Sequence, residues 1–193
     1  MKLGGIELEG VFGGYTIVNQ PATSLPQDLA TALGVVNSGI LGATYQPVWY
    51  VGKQVVNGMN HFLLAEQVRM TKDQDKRIVG IIINIPAGDF TGEKAKLVRI
   101  VEEEKLPAEV QDAYDATIGM LLGVNYKPLM YIGKQVVNGI NHFILCSAIG
   151  VYPGAEPYAV MVSINVPPNN GKPVINKIEG IDSMNAVGYA FPW

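Results

Sequence analysis

Lys53-Gln54-Val55-Val56-Asn57-Gly58 recurs without change as the stretch Lys134 to Gly139, 81 residues later. Matches at the same shift continue on both sides of this stretch without a gap: Tyr45/Tyr126, Pro47/Pro128, Tyr50/Tyr131, Gly52/Gly133, Asn60/Asn141, His61/His142, Phe62/Phe143, Leu64/Leu145, Ile83/Ile164 and Asn84/Asn165. Only two copies are present and their period is long, which favours separate small domains over a stacked solenoid. We therefore predict two domains, residues 1–102 and 103–193, which meet at the charged run Glu102 to Lys105.

A helix is predicted near the start of each unit. Pro26 suits the first position of a helix, and Gly42 is a plausible end. The apolar residues between them recur at helical spacing, as Leu29, Leu33, Val36 and Ile40. The second unit repeats this pattern with Pro107, Val110, Tyr114, Thr117, Leu121 and Gly123.

A long β-hairpin follows each helix. Asn-Gly between apolar strands indicates a two-residue turn in which both residues have positive φ, so Val56 is expected to face Met59. Trp49, Val51, Val55, Phe62 and Leu64 then share one side, which is expected to cover the helix. Two more strands are predicted in each unit, over residues 77–85 and 96–102 and over residues 158–166 and 174–179. The predicted class is α+β, with an antiparallel β-sheet wrapped around one α-helix in each of two tandem domains.

Composition and charge exclude several classes of function. The net charge of −3 and the absence of a basic cluster disfavour nucleic-acid binding. No apolar run is long enough to cross a membrane, and the single cysteine, Cys146, excludes an internal disulfide. We see no cofactor motif and expect a cytoplasmic protein. A secreted mature form without its signal peptide would show the same features.

The hairpin motif resembles a known family. Gln54-Val55-Val56-Asn57-Gly58 is similar to the Gln-x-Val-x-Gly hairpin of the cystatins, which inhibit papain-like cysteine proteases. The stefin branch, which is cytosolic and lacks disulfides, is the most similar. Ile85-Pro86-Ala87-Gly88 resembles the Leu-Pro-Gly second hairpin of stefins, and Gly13-Gly14 with Pro21-Ala22-Thr23 resembles their N-terminal trunk. The resemblance covers residues from about 11 to 102, and the second unit repeats the first hairpin.

The resemblance implies tandem cystatin-like domains and reversible inhibition of a papain-like protease. In that family the trunk and two hairpins line up as a wedge that fills the active-site cleft without offering a peptide to cleave. The implied protease-binding residues are Gly13, Gly14, Gln54, Val55, Val56, Asn57, Gly58, Pro86, Ala87, Gly88, Gln135, Val136, Val137, Asn138, Gly139 and Pro167. Neither a metal nor a cofactor is implied.

The second unit departs from the family pattern. It has no glycine pair before its helix, and its second hairpin reads Val166-Pro167-Pro168-Asn169. Asn57 and Asn138 stand where alanine is common in the family, and a histidine replaces the usual tyrosine in both units. We therefore expect unit one to inhibit better than unit two.

Two other classes of function stay open. An enzyme with a Cys-His pair is one, because His142 and Cys146 share a strand face, but Ala65 occupies the position of Cys146 in unit one. We favour a small apolar role for Cys146 and predict no catalytic activity. The other class is a non-inhibitory cystatin-like binding module, or a strand-exchanged homodimer that opens at the hinge formed by Val55 and Val56.

Overall fold

The computed structural model describes residues 15–72, 75–102, 105–169 and 171–181. Gly13 and Gly14, implied above as trunk residues, lie outside these ranges. The described residues separate into two compact units on either side of residues 102 and 103, called unit one and unit two below.

Unit one contains one helix and five strands. Strand β1 (Tyr15–Pro21) leads through a short 3₁₀ turn, Ala22–Ser24, into helix α1 (Gln27–Gly39). Strands β2 (Ala43–Val56), β3 (Gly58–Arg69), β4 (Lys76–Ile85) and β5 (Lys96–Val101) follow. They form one antiparallel sheet in the order β1-β2-β3-β4-β5.

Unit two repeats the helix and the last four strands. Helix α2 (Ala108–Asp115) is followed by a 3₁₀ turn, Ile118–Met120. Strands β6 (Val124–Val137), β7 (Gly139–Gly150), β8 (Tyr158–Val166) and β9 (Val174–Gly180) form a second antiparallel sheet in that order. Among the described residues, unit two has no strand that corresponds to β1.

Each sheet packs against its own helix, which confirms the predicted α+β class and is consistent with tandem cystatin-like units. In unit one, Leu29, Leu33 and Val36 of α1 are buried against Tyr50, Leu63, Ile81 and Ile83 of the sheet. In unit two, Val110 and Tyr114 of α2 are buried against Tyr131, Ile144 and Val162. Burying one large aliphatic side chain contributes about 1.5–3 kcal/mol, so these stripes supply much of each unit's stability.

The predicted hairpin register is wrong by one residue. Val56 pairs with Gly58 and Val55 with Met59, so Asn57 alone stands at the tip. A two-residue turn of the expected type needs positive φ at both central positions, but in the described chain only Asn169 among non-glycine residues has it. Gly58 alone carries the turn, with a φ of 103°.

The predicted helix-facing side of the sheet is also wrong. Tyr50 and Leu63 face α1, whereas Trp49 and Leu64 are buried outside that core cluster. Register shifts between Pro47 and Trp49 and between Tyr50 and Gly52 mark β-bulges in β2. One extra residue in β2 exchanges its two faces beyond that point, which accounts for Trp49. Leu64 lies on β3, which has no bulge, and its face was mispredicted because of the one-residue error at the turn.

Helix α2 is shorter than expected. It ends at Asp115, so Thr117 and Leu121 lie beyond it. The Thr117 hydroxyl donates to the carbonyl oxygens of Ala113 (2.7 Å) and Tyr114 (3.4 Å), a local bond that competes with continued helix.

Candidate functional site

The tips of the two long hairpins expose apolar side chains in both units. Val55 and Val56 are 51% and 41% exposed, and Val136 and Val137 are 79% and 47% exposed. Valines at the end of a rigid two-stranded ribbon are costly to leave in water and form a ready contact surface. Gln54, by contrast, is buried and belongs to the base of the tip.

In unit one, the turn of the first hairpin, between β2 and β3, packs against the start of the second hairpin loop, between β4 and β5. A side chain at Gly58 would overlap the carbonyl oxygen of Ile85 and would put a Cβ 2.7 Å from the amide nitrogen of Ala87. The turn is therefore in backbone contact with the loop of residues 86–95, between β4 and β5. Gly58 at the tip of the first hairpin therefore lies beside Pro86 and Ala87 of the second.

Strand β1 reaches the same edge. It runs antiparallel to β2, with Tyr15 opposite Gln54 and Pro21 opposite Trp49. The end of β1 that begins the described chain therefore lies beside the first hairpin tip. Gly13 and Gly14, the expected trunk residues, lie outside the described ranges, and their place at the site stays a prediction.

The second loop of unit one is held by one carboxylate. Asp89 accepts hydrogen bonds from the backbone amides of Thr91 (3.0 Å), Gly92 (3.0 Å) and Lys94 (2.8 Å) and from the Thr91 hydroxyl (3.0 Å). These bonds, that of Lys94 first, lower the pKa of Asp89. Gly92 is buried against the first turn of α1, where a Cβ would overlap the carbonyl oxygen of Asp28. The loop is thus fixed at both its tip and its flank.

Unit two has the same contact between hairpins but a different loop. A Cβ at Gly139 would overlap the carbonyl oxygen of Val166 and come within 2.9 Å of Pro167. The connection from β8 to β9 is three residues shorter than that from β4 to β5. The carboxylate cap of Asp89 has no counterpart there, because residues 167–173 include neither Asp nor Glu.

Sequence reasoning missed two features of unit one. Phe90, next to the Asp89 cap, is 90% exposed at the tip of the second loop. Behind the first hairpin, the buried side chain of His61 bonds to the Tyr50 hydroxyl through Nδ1 at 2.8 Å, and unit two repeats this pair as Tyr131 and His142. The recurrence of both residues at the 81-residue shift was the available signal for the pair, whereas nothing in the sequence marked Phe90.

The Cys-His alternative finds no support in the local chemistry. Cys146 is fully buried in the core of unit two, and burial raises the pKa of its thiol. A nucleophilic cysteine needs a lowered pKa and access to substrate. His142 uses Nδ1 to bond Tyr131, and burial lowers the pKa of its ring.

No protein-family model matches this chain, and no curated protein matches it in sequence. Within the described ranges, no group of three or more potential metal ligands comes together, and no helix is long and apolar enough to span a bilayer. The assignment of a function therefore depends on the geometry of the hairpin edge.

Proposed function

We propose that this protein inhibits papain-like cysteine proteases by inserting the hairpin edge of unit one into the active-site cleft. The observation that carries the proposal is the backbone contact between Gly58 and residues 85–87, which joins two hairpin tips with exposed Val55 and Val56. The edge is ordered before binding, so little conformational entropy is lost on association. Apolar tips also displace water from a cleft without presenting an extended peptide for cleavage.

The direct test is titration of papain with the intact protein, with residual hydrolysis of a small substrate as the readout. A titration end point near one protease per chain supports inhibition by the edge of one unit only. An end point near two supports inhibition by one edge in each unit. Absence of inhibition at micromolar protein would refute the proposal.

Matched substitutions assign the activity to a unit. Val56→Asp places a charge where the proposed interface excludes water, and an unpaired buried charge costs several kcal/mol. We expect inhibition to weaken by about 100-fold or more, since each 1.4 kcal/mol is tenfold. Val137→Asp is the equivalent change in unit two and is expected to have a smaller effect. Equal effects, or a larger one from Val137→Asp, would contradict the stronger role of unit one.

Strand exchange is the second candidate function. Strands β2 and β3 are long, and only Asn57 separates Val56 from Gly58 at the turn. Opening a tight turn in a long ribbon lets the same pairs form between two chains. Light scattering after size-exclusion chromatography tests this candidate, because a stable strand-exchanged dimer has twice the monomer mass.

A further inference from the structure

A cavity of about 550 Å³ opens on unit one, between the start of α1, the first hairpin and the second loop. Its apolar wall includes Met59, Ile85 and Phe90, and its polar wall includes Asp28, Lys53 and His61. Small-molecule sites usually have volumes of about 300–1,000 Å³, an apolar lining and a few convergent polar groups. This cavity has all three features.

The imidazole of His61 lines this space. The side chain is 95% buried, since only 5% of its surface is exposed, and Nδ1 bonds the Tyr50 hydroxyl at 2.8 Å. Nε2 has no hydrogen-bond partner among the described residues. Among the described residues, only Oγ of Ser147 is a fully buried side-chain polar atom without a partner, so Nε2 of His61 keeps access to the cavity that the ring lines.

The protonation state of this ring follows from its neighbours. Burial, with a smaller effect of Asp28, raises the pKa of Tyr50 to about 12, so the phenol keeps its proton. Burial lowers the pKa of His61, which keeps the imidazole neutral at pH 7. We assign the tautomer in which Nδ1 accepts the phenol proton, which leaves the ring hydrogen on Nε2 as an N–H donor.

Two opposite charges flank this donor without pairing. Within the described ranges, neither Asp28 nor Lys53 takes part in an ion pair, and Oδ1 of Asp28 accepts from the neighbouring amide of Leu29 at 2.9 Å. Both charges act on the His61 ring, Asp28 raising its pKa and Lys53 lowering it. The cavity therefore combines a cation and an N–H donor with an anion, and its complement is a zwitterion.

We propose that this cavity binds a short zwitterionic peptide of dipeptide size with an apolar side chain. Its carboxylate accepts hydrogen bonds from Nζ of Lys53 and Nε2–H of His61, and its ammonium group binds the carboxylate of Asp28. The apolar side chain packs on Met59, Ile85 and Phe90. The cavity shares Gly58, Pro86, Ala87 and Gly88 with the proposed protease-binding edge. Its polar groups, Asp28, Lys53 and His61, lie outside that edge, so peptide binding and protease inhibition are tested by separate measurements.

Unit two supplies a control within the same chain. Glu109, Lys134 and His142 occupy the positions of Asp28, Lys53 and His61 at the 81-residue shift. Gly171 stands at the position of Phe90, and the shorter loop from β8 to β9 replaces the apolar wall. We therefore expect the peptide to bind at unit one in preference to unit two.

The experiment is an NMR titration of the full chain with L-leucyl-L-leucine, with the ring nitrogens of His61 and His142 as reporters. We expect saturable shifts at His61 with a dissociation constant on the order of 1 mM or tighter, and weaker or no shifts at His142. The N-acetylated and C-amidated dipeptides, which each lack one charge, are expected to bind about tenfold more weakly, the usual effect of one lost charged hydrogen bond. These analogues test the proposal on the unaltered protein.

Substitutions then assign the groups. Lys53→Gln and Asp28→Asn are each expected to weaken binding about tenfold, whereas the matched double change Glu109→Gln with Lys134→Gln leaves it unchanged. The proposal is overturned by absence of saturable His61 shifts at about 10 mM peptide, by equal binding of the capped dipeptides, or by unchanged binding in Lys53→Gln.

Discussion

Replacement of Gly58 by alanine is expected to destabilise unit one more than the same replacement at a positive-φ glycine with free space around its Cα. Gly58 has a φ of 103°, and its missing side chain leaves room for the second hairpin. Gly88 is the matched control, because its φ is 84° and a Cβ there would meet no atom within 4 Å. The pair therefore separates backbone strain from the contact between hairpins.

The magnitude follows from two effects at Gly58 and one at Gly88. A left-handed backbone costs an alanine about 1–2 kcal/mol, which applies to both positions. The new methyl group at Gly58 would also overlap the carbonyl oxygen of Ile85 and lie 2.8 Å from the carbonyl carbon of Pro86. Overpacking of this kind costs about 1–3 kcal/mol, so Gly58→Ala should cost about 2–5 kcal/mol against about 1–2 for Gly88→Ala.

Urea unfolding followed by far-UV circular dichroism measures the difference. With a slope of about 1–3 kcal/mol per molar, an excess of 1–3 kcal/mol lowers the midpoint by roughly 1 M relative to Gly88→Ala. The same comparison can be made in unit two, where Gly139 contacts the neighbouring loop and Gly123 is open. If Gly58→Ala and Gly88→Ala cost the same, the hairpins do not support each other and the argument for one rigid edge fails.

The remaining predictions concern titration, reactivity and the second loop. Burial lowers the pKa of His61 and His142, so the unfolded chain binds more protons than the folded chain just below the ordinary pKa of 6.5. The free energy of unfolding should therefore fall as the pH drops through that range. Denaturant titrations at pH 7.5 and 5.5 measure this fall, which should be smaller when both histidines are replaced by glutamine. Cys146 should react with a thiol reagent only at the rate of unfolding, and rapid labelling of the native protein would contradict its burial. Asp89→Asn should speed amide hydrogen exchange at the second loop of unit one while leaving the loop of unit two unchanged; unaltered exchange would show that the carboxylate does not hold the loop.

The elements that carry a local signal were predictable from sequence. Strand β4 ends before Pro86 and helix α1 begins after Pro26, as proline chemistry requires. The duplication located every strand of unit two from its counterpart in unit one. The α+β class follows from these features together, whereas the closeness of the two hairpin tips was implied only by the family resemblance.

The sheet faces and the loop were not predictable, because they depend on tertiary contacts. The bulges in β2 exchange the faces of that strand, yet nothing in the residues around Val48 signals an extra residue. Strand β1 was also not predicted, because apolar and polar residues do not alternate clearly in Tyr15–Pro21. Its partners lie more than 25 residues further along the chain, in β2. The cavity at His61 depends on three separate elements meeting, which no local pattern encodes.

The two hairpin tips share an identical hexapeptide, so any difference in their behaviour must come from their surroundings. Val55 is 51% exposed and Val136, its exact repeat in sequence, is 79% exposed. In unit one, β1 pairs with the strand beside the tip and the loop of residues 86–95 is fixed by Asp89; in the described part of unit two, both features are missing or shortened. A binding edge gains affinity from parts that are ordered in advance, because less entropy is lost on association. The two units thus share the hairpin-tip sequence and differ in the strand and loop that lie beside it. This difference is the reason why stronger protease inhibition is expected from unit one.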